Sequence, residues 1–424
     1  MAFALYTFPP SWLVVVAISI GLTGVLALAV ARYEAAVTLG FLLFAVVKIE
    51  PAPTDGIFTV AIAVAAVTGR FDIRRVPFSV GGFLGAFLAV TVLSAVEVID
   101  VAAAARFMTI TLYLAVFTIW FTWYLDSEHR ARSVVRAYVG SATAFALVAS
   151  AALFLPVPGG DLLLRYDGTR AAGLFEDPNV FGPFLIPAAL IVLEELLQPR
   201  LMRSGRLPKV MMFLALSGGV LFSYSRAAWV SYVAGVLVLL VVLALRRGGG
   251  RRALVVLLVL MLAGVAAIGV IAVTGSLGFL QERAHFQSYD VERFGAQREG
   301  IQLAEQYPFG IGPGQFDVLV TVSTHSTYVR TLSEQGILGL ATIVGLVSSA
   351  LVLAGRNAIL GHDTFGIGSA ALLAAWVGIL INSFVVDTLH WRHLWFVLGL
   401  ICVGAMRAAG PASDRSGPTP TPPV

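Results

Sequence analysis

Charge is what this chain has least of. Only 12% of its 424 residues are Asp, Glu, Lys or Arg, against 58% hydrophobic, and the mean hydropathy is +0.89. That excludes an ordinary soluble domain, which needs far more polar residues to cover its surface. Cysteine is equally scarce. Cys402 stands alone, so an internal disulfide is excluded and the redox compartment cannot be read. Inside an apolar run, Cys402 is expected to be a small buried residue. Strict apolar–polar alternation is missing as well, which argues against a transmembrane β-barrel.

What is present is a series of long apolar runs, such as ALVVLLVLMLAGVAAIGVIAV. Runs of about 17–25 apolar residues are membrane helices, because a helix satisfies its own backbone polar groups in hydrocarbon. Spans are expected near 12–31, 34–49, 56–69, 77–97, 106–125, 133–155, 180–197, 209–223, 227–245, 253–274, 326–354, 365–386 and 393–409. The second and third are short, so the expected fold is an all-α integral membrane protein with 12 to 13 transmembrane helices. MAFALYTFPP lacks a basic segment and an obvious cleavage site, so the first run is expected to be retained. Residues 1–409 form one polytopic domain in this reading, and the Pro-rich stretch 410–424 is a disordered cytoplasmic tail.

Lysine and arginine set the orientation. RFDIRR (70–75), SEHRARSVVR (127–136), QPRLMRSGRLPK (198–209) and RRGGGRR (246–252) are alternate short basic connections. The positive-inside rule puts them in the cytoplasm. Topology accounts for them, and for the pI of 9.3, without nucleic acid as a partner. The connections 156–179, 223–226, 275–324 and 387–392 then face outward, and they carry the polar motifs. The long outer loop 275–324 is expected to contain short helices.

RAAGLFEDPNVFG (170–182) places an arginine and an Asp-Pro-Asn turn before a span. Asn179 is expected to cap that helix. Arg170 is either half of a surface ion pair or a phosphate clamp, since a guanidinium fork matches phosphate oxygens. Arg226, in SYSRAAW, lies between two apolar runs. An arginine at membrane depth costs about 2.5–3.5 kcal/mol on insertion scales, so it either snorkels or has a function. In the outer loop, 289–306 is expected to be an amphipathic helix with Phe294, Ile301 and Ala304 on one face, its charges mostly solvated. PFGIGPGQF lacks the Gly-Lys-Ser/Thr ending of a nucleotide loop. His325 opens a long span, where a neutral imidazole can take a proton from a hydroxyl. Arg330 and Glu334 are four apart, either a helical ion pair or direct participants. His390 and His393 lack an acidic ligand cluster, so no metal is expected. No Asp-x-Asp pair occurs, which argues against a metal-dependent sugar transferase.

RAAGLFEDPNVFG, SRAAW, PFGIGPGQF and HSTYVRTLSEQGILGL, in that order and on one membrane side, resemble the O-antigen ligase and polymerase family over roughly residues 100 to 400. The resemblance implies a membrane glycosyltransferase of the C type that needs no cofactor. It implies transfer of a glycan from polyprenyl (undecaprenyl) pyrophosphate to an acceptor hydroxyl, inverting and without metal, at the outer face of a bacterial cytoplasmic membrane. The acceptor is a glycan or glycolipid for a ligase, or a second lipid-linked repeat for a polymerase. Motif by motif, it implies that Arg170, Arg226 and Arg293 hold the pyrophosphate and that His325 is the base or orients the acceptor. Asp387 matches a late acidic residue of the family and is taken with His325 as catalytic, and Asn179, Arg330 and Glu334 are taken as supporting. Ser326 and Gln297 depart from the family pattern, where Asn and an aromatic are common. The rival class is a transporter of lipid-linked oligosaccharide or anions, for which intramembrane arginines also serve. The lack of an internal repeat and the gathering of polar residues on one side favour an enzyme.

Overall fold

A computed structural model describes residues 12–166, 168–246 and 288–409. The span expected at 253–274, the first part of the outer connection and the tail 410–424 lie outside the described residues. The helices are α1 (Trp12–Ala31), α2 (Tyr33–Leu42), α3 (Pro53–Val67), α4 (Phe78–Leu93), α5 (Val101–Tyr124), α6 (Glu128–Ala152) and α7 (Pro178–Leu197). They continue with α8 (Arg206–Phe222), α9 (Arg226–Leu245), α10 (Ser288–Gln306), α11 (Phe316–Leu319), α12 (Thr327–Leu360), α13 (Ser369–Ser383) and α14 (Arg392–Ala409). One small hairpin pairs β1 (Leu164–Arg165) with β2 (Arg170–Ala171). The protein is therefore an all-α membrane protein, with a helix at every expected span among the described residues. Seven of these helices are long and apolar enough to cross a membrane. The ten residues of α2 rise only about 15 Å, half a hydrocarbon core. Its chain continues through 43–52 and meets the connection 156–179, where the Val47 amide donates to the Leu174 carbonyl at 3.0 Å.

Local chemistry fixes the helix starts. Asp100 accepts from the Ala102 and Ala103 amides at 2.9 and 3.0 Å and so caps α5. Ser127, Ser225 and Ser326 cap α6, α9 and α12. At α7 the cap is Asp177, which accepts from the Asn179 amide at 2.8 Å, with Pro178 as the first helical residue. The expectation that Asn179 caps this helix is therefore corrected. The acid stands one residue before the proline, where the cap must be, and this leaves the Asn179 side chain for another partner.

The core centres on α7, whose apolar stretch is 83% buried between α6, α8, α9 and α13. A cluster of aromatic rings, among them Phe41, Phe44, Phe58, Phe121, Tyr138, Phe184 and Phe396, interlocks α2, α3, α5, α6, α7 and α14. Small residues set the closest approaches. A Cβ on Gly378 of α13 would stand 3.2 Å from the Ser231 carbonyl of α9, and Asn382 donates to Ser231 Oγ across the same seam at 2.6 Å.

The two ends of the bundle differ. One end carries Lys209–Glu195 (2.9 Å), Arg130–Glu34 (2.8 Å), Arg246–Glu194 (3.5 Å) and Arg407–Asp363 (3.4 Å). It is the end of the basic connections. The other end gathers Arg170, Arg226, Arg330 and their partners. There the loop 307–315 lies against α12. The Ile311 and Gly312 amides donate to the Ser333 and Glu334 carbonyls at 2.9 and 3.0 Å, and the Ile337 amide donates to the Pro308 carbonyl at 3.1 Å. The exchange needs the break in α12 at Gly336, whose φ is 69° and whose added Cβ would stand 2.2 Å from the Pro308 carbonyl. Gly336→Ala is expected to cost about 1–3 kcal/mol from backbone strain alone, and more from the clash. A clearly lowered unfolding midpoint in detergent is the expected result, while Gly355→Ala, in open space on the same helix, is expected to leave the midpoint nearly unchanged.

Candidate active site

Arg170 leaves the hairpin at its second strand and is buried. Its Nε donates to the Ser223 carbonyl at 2.8 Å and Nη2 donates to Asn179 Oδ1 at 3.1 Å. The Tyr166 ring covers the guanidinium at 5.1 Å. Asn179, freed from capping, is thus a positioning partner for Arg170. Gly173, at φ 57°, lets Phe181 close underneath, since an added Cβ would stand 2.8 Å from that ring.

Ser223 begins the turn that ends α8, and Arg226 is the first residue of α9. Arg170 and Arg226 therefore meet the same four-residue turn from two sides. Arg226 reaches Asp290 of α10 in an ion pair of 2.5 Å. Its charge adds to the positive end of the α9 dipole. Arg293 lies three residues past Asp290 on α10 and is half-buried.

The buried face of α10 differs from the one expected. Phe294 and Ile301 are exposed, whereas Asp290, Ala296 and Gly300 are buried, with Leu303 half-buried beside them. A Cβ on Gly300 would meet Val329 of α12 at 2.7 Å. The buried stripe, centred on Ala296 and Gly300, lies about a third of a turn from the face of Phe294 and Ile301, and at Gly300 it meets Val329, Phe316 and Thr324.

His325 stands just before the Ser326 cap of α12, with a left-handed backbone at φ 46°. Burial and the Arg293 charge lower its pKa to about 4, with Arg330 adding to them and Asp177 and Asp317 opposing them. The imidazole is neutral at pH 7. His325 therefore feels charges from the start of α7 and from α10, α11 and α12.

Deeper in, Arg330 is surrounded by acids. Nη1 donates to Asp387 Oδ2 at 2.8 Å, Nη2 contacts Asp317, and Nε lies 3.5 Å from Glu334. Glu334 is wholly buried, and its two oxygens accept from the Gly314 amide at 2.8 Å and the Phe316 amide at 3.2 Å. Asp387 Oδ1 accepts from the Thr327 hydroxyl at 3.2 Å and the Leu389 amide at 3.1 Å. Burial pushes the Asp387 carboxyl up, but Arg330 and His390 outweigh it, so its pKa lies below the ordinary value. His390 lies 3.0 Å from Thr111 Oγ1, and the His393 ring packs on Trp391 and Phe184. Among the described residues no three His, Cys, Asp or Glu side chains group as metal ligands.

The structure thus brings Arg170, Asn179, Arg226, Arg293 and His325 to one mouth, with Arg330, Glu334 and Asp387 as a charged wall beside it. Sequence reasoning left out Asp317 and did not single out Asp290 or Asp177, which complete it. Asp290 lies 64 residues from Arg226, and no local pattern pairs residues so far apart.

Residues 211–344 match the model of a protein family described as O-antigen ligase. The match runs from α8 through Arg226, α10 and His325 into α12. It bears out the resemblance to the O-antigen ligase family and supports a membrane enzyme of the ligase or polymerase type. No curated protein matches the chain.

Glu334→Gln tests the wall. One of the two amide donors on the carboxylate loses its acceptor, which costs about 1–3 kcal/mol when buried. The expected result is a lower unfolding midpoint, with faster proteolysis in the loop 307–315 than in wild type.

Proposed function

From the O-antigen ligase match over residues 211–344, we propose that this protein transfers a glycan from polyprenyl pyrophosphate to an acceptor hydroxyl, with inversion and without a metal. The observation that carries the reading is the convergence of Arg170 and Arg226 on one turn, with a neutral His325 inside the field of Arg293. The mouth lies at the end opposite the basic connections, which is the outer face by the positive-inside rule. We take the membrane to be the bacterial cytoplasmic membrane.

The chemistry follows from the leaving group. As the bond from the anomeric carbon to the pyrophosphate oxygen breaks, negative charge grows on that oxygen. In this reading Arg170 and Arg226, with Arg293 beside them, stabilise that charge as fixed cations. The acceptor oxygen attacks the opposite face of the anomeric carbon and gives its proton to His325. A base with a pKa near 4 takes that proton late, as the acceptor oxygen becomes positive. The bound pyrophosphate, as a nearby anion, raises the imidazole pKa and strengthens it. Both oxygens of Asp387 are already engaged, so its assigned role is to position Arg330 and the start of α12 and not to touch the sugar. Asn179 and Glu334 position Arg170 and the loop 307–315 in the same way. Ligase and polymerase differ only in whether the acceptor hydroxyl belongs to a glycolipid or to a second lipid-linked repeat.

Purified protein in nanodiscs, with a lipid-linked glycan and defined acceptors, tests the proposal. His325→Ala is expected to slow acceptor-dependent release of polyprenyl pyrophosphate by about 10²–10⁴-fold. Arg226→Ala is expected to slow it by about 10²–10³-fold. Near-normal transfer by both folded variants would remove these roles. Movement of the glycan-lipid across the bilayer without release would favour a transporter.

The pH profile gives a second test. Neutral His325 is the active form, so kcat/KM is expected to fall as pH drops through about 4. Arg293 is a like charge to protonated His325 and lowers its pKa. Arg293→Gln is therefore expected to move the acid limb to higher pH, whereas a role confined to pyrophosphate binding would leave the limb in place.

A further inference from the structure

The basic end of the bundle has a feature that the proposed reaction does not use. A cleft of about 440 Å³ opens there between the start of α2, the end of α3 and the junction of α5 with α6. Three arginines line it, Arg32, Arg70 and Arg130, with two acids, Glu34 and Asp126.

The acids are already taken. Arg130 donates to Glu34 at 2.8 Å and to Asp126 at 2.8 Å, and its guanidinium packs over the Tyr124 ring. His129 also lies 3.3 Å from Glu34. Arg32 and Arg70 have no acidic partner among the described residues. Two guanidinium groups facing one open cleft, with both nearby carboxylates engaged by Arg130 and a net positive charge left over, match an anion with several oxygens. Trp123 and Tyr33 stand on the same wall, and such amphipathic rings suit the headgroup level of a bilayer.

The neighbouring surface points to the source of that anion. Val30 and Leu26 on α1, and Val67 on α3, are exposed apolar residues within two turns of Arg32 and Arg70. Each arginine therefore ends an apolar, outward-facing stripe. A ligand with a phosphate at the cleft and acyl chains along these stripes satisfies both surfaces, whereas a free phosphate uses only the first.

We propose that the cleft at Arg32 and Arg70 binds the phosphate group of an anionic phospholipid. The site is separate from the mouth and would hold α1 and α3 to the bundle from the basic side.

The test uses full-length protein in nanodiscs of equal phosphatidylglycerol and phosphatidylcholine, released into mild detergent and weighed intact. Wild type is expected to retain phosphatidylglycerol in preference to phosphatidylcholine. The double variant Arg32→Gln/Arg70→Gln is expected to lose about tenfold or more of that preference, given the contribution of each arginine near an anionic surface. Arg74→Gln, an exposed arginine outside the cleft, is expected to keep it. Monodisperse elution in phosphatidylcholine nanodiscs checks folding, and Arg70→Gln alone serves if the double variant fails that check. Unchanged retention in the cleft variants, or an equal loss in Arg74→Gln, would overturn the proposal. So would inorganic phosphate at millimolar concentration raising the unfolding midpoint as far as phosphatidylglycerol does, because the ligand would then need no lipid.

Discussion

A buried guanidinium has to be matched by anions held in place, and Arg330 imposes that requirement on the whole mouth. Removing one partner from such a cluster leaves a charge with no compensation, at a cost of about 3–5 kcal/mol. The three acids that match it come from different parts of the chain: Asp317 from α11, Glu334 from the next turn of α12, and Asp387 from the connection before α14. Once Arg330 is placed, these three segments are placed with it. Glu334 then extends the constraint, because the same carboxylate accepts from the backbone at Gly314 and Phe316. The glycine-rich loop is thus tied to the ion cluster as well as to the backbone of α12 and to the small apolar cluster of Ile311, Phe316 and Val320.

That dependence explains why the loop is rich in glycine. Gly310 and Gly336 approach each other's backbones so closely that a Cβ on either would stand 2.2 Å from a carbonyl oxygen. At that distance the amides of Ile311 and Gly312 use the carbonyls of Ser333 and Glu334, just before the break at Gly336. Gln315 carries the fixation onward, accepting from the Ile99 and Asp100 amides at 2.9 and 2.8 Å and donating to the Asp100 carbonyl. The start of α5 is thereby registered against the glycine-rich loop.

Much of this was legible in the sequence, in a definite way. The apolar runs gave the helices, because hydrocarbon leaves no other means of satisfying a backbone. The alternate basic connections separated the two ends, because charge cannot cross cheaply. Arg170, Arg226 and His325 could be picked out because each interrupts or opens an apolar run. What escaped depends on distance and on context. The pairing of Arg226 with Asp290 joins residues far apart along the chain. The buried face of α10 escaped because the residues that pack are small, Ala296 and Gly300, with Gly300 close under Val329 and Phe316, while the larger Phe294 and Ile301 stay exposed. Asn179 looked like the cap because of its amide, but the proline before it moves the cap to Asp177 and turns Asn179 toward Arg170. Glu194 and Glu195 of α7 went unremarked inside an apolar run. They are the acceptors for the Ala371 amide and for Lys209 that fasten the basic end.

Strain at the mouth fits the same account. Of the four non-glycine residues with positive φ among the described residues, Tyr166, Tyr224 and His325 belong to the mouth. Each such backbone costs about 1–3 kcal/mol and persists only where its surroundings over-determine it. Here they do. Tyr166 turns the hairpin that presents Arg170, and its ring covers that guanidinium. Tyr224 sits inside the turn that Arg170 grips at Ser223 and that Ser225 closes as a cap. His325 lies between the buried hydroxyl of Thr324 and the cap at Ser326. The left-handed residues are the points where the chain must reverse sharply enough to put an arginine or the histidine at the end of a span. A relaxed backbone would let these side chains spread to the interface, as long cationic residues tend to do. The folding energy of the surrounding helices is thus what holds these charges in place, and cations fixed in advance act most strongly on a developing negative charge.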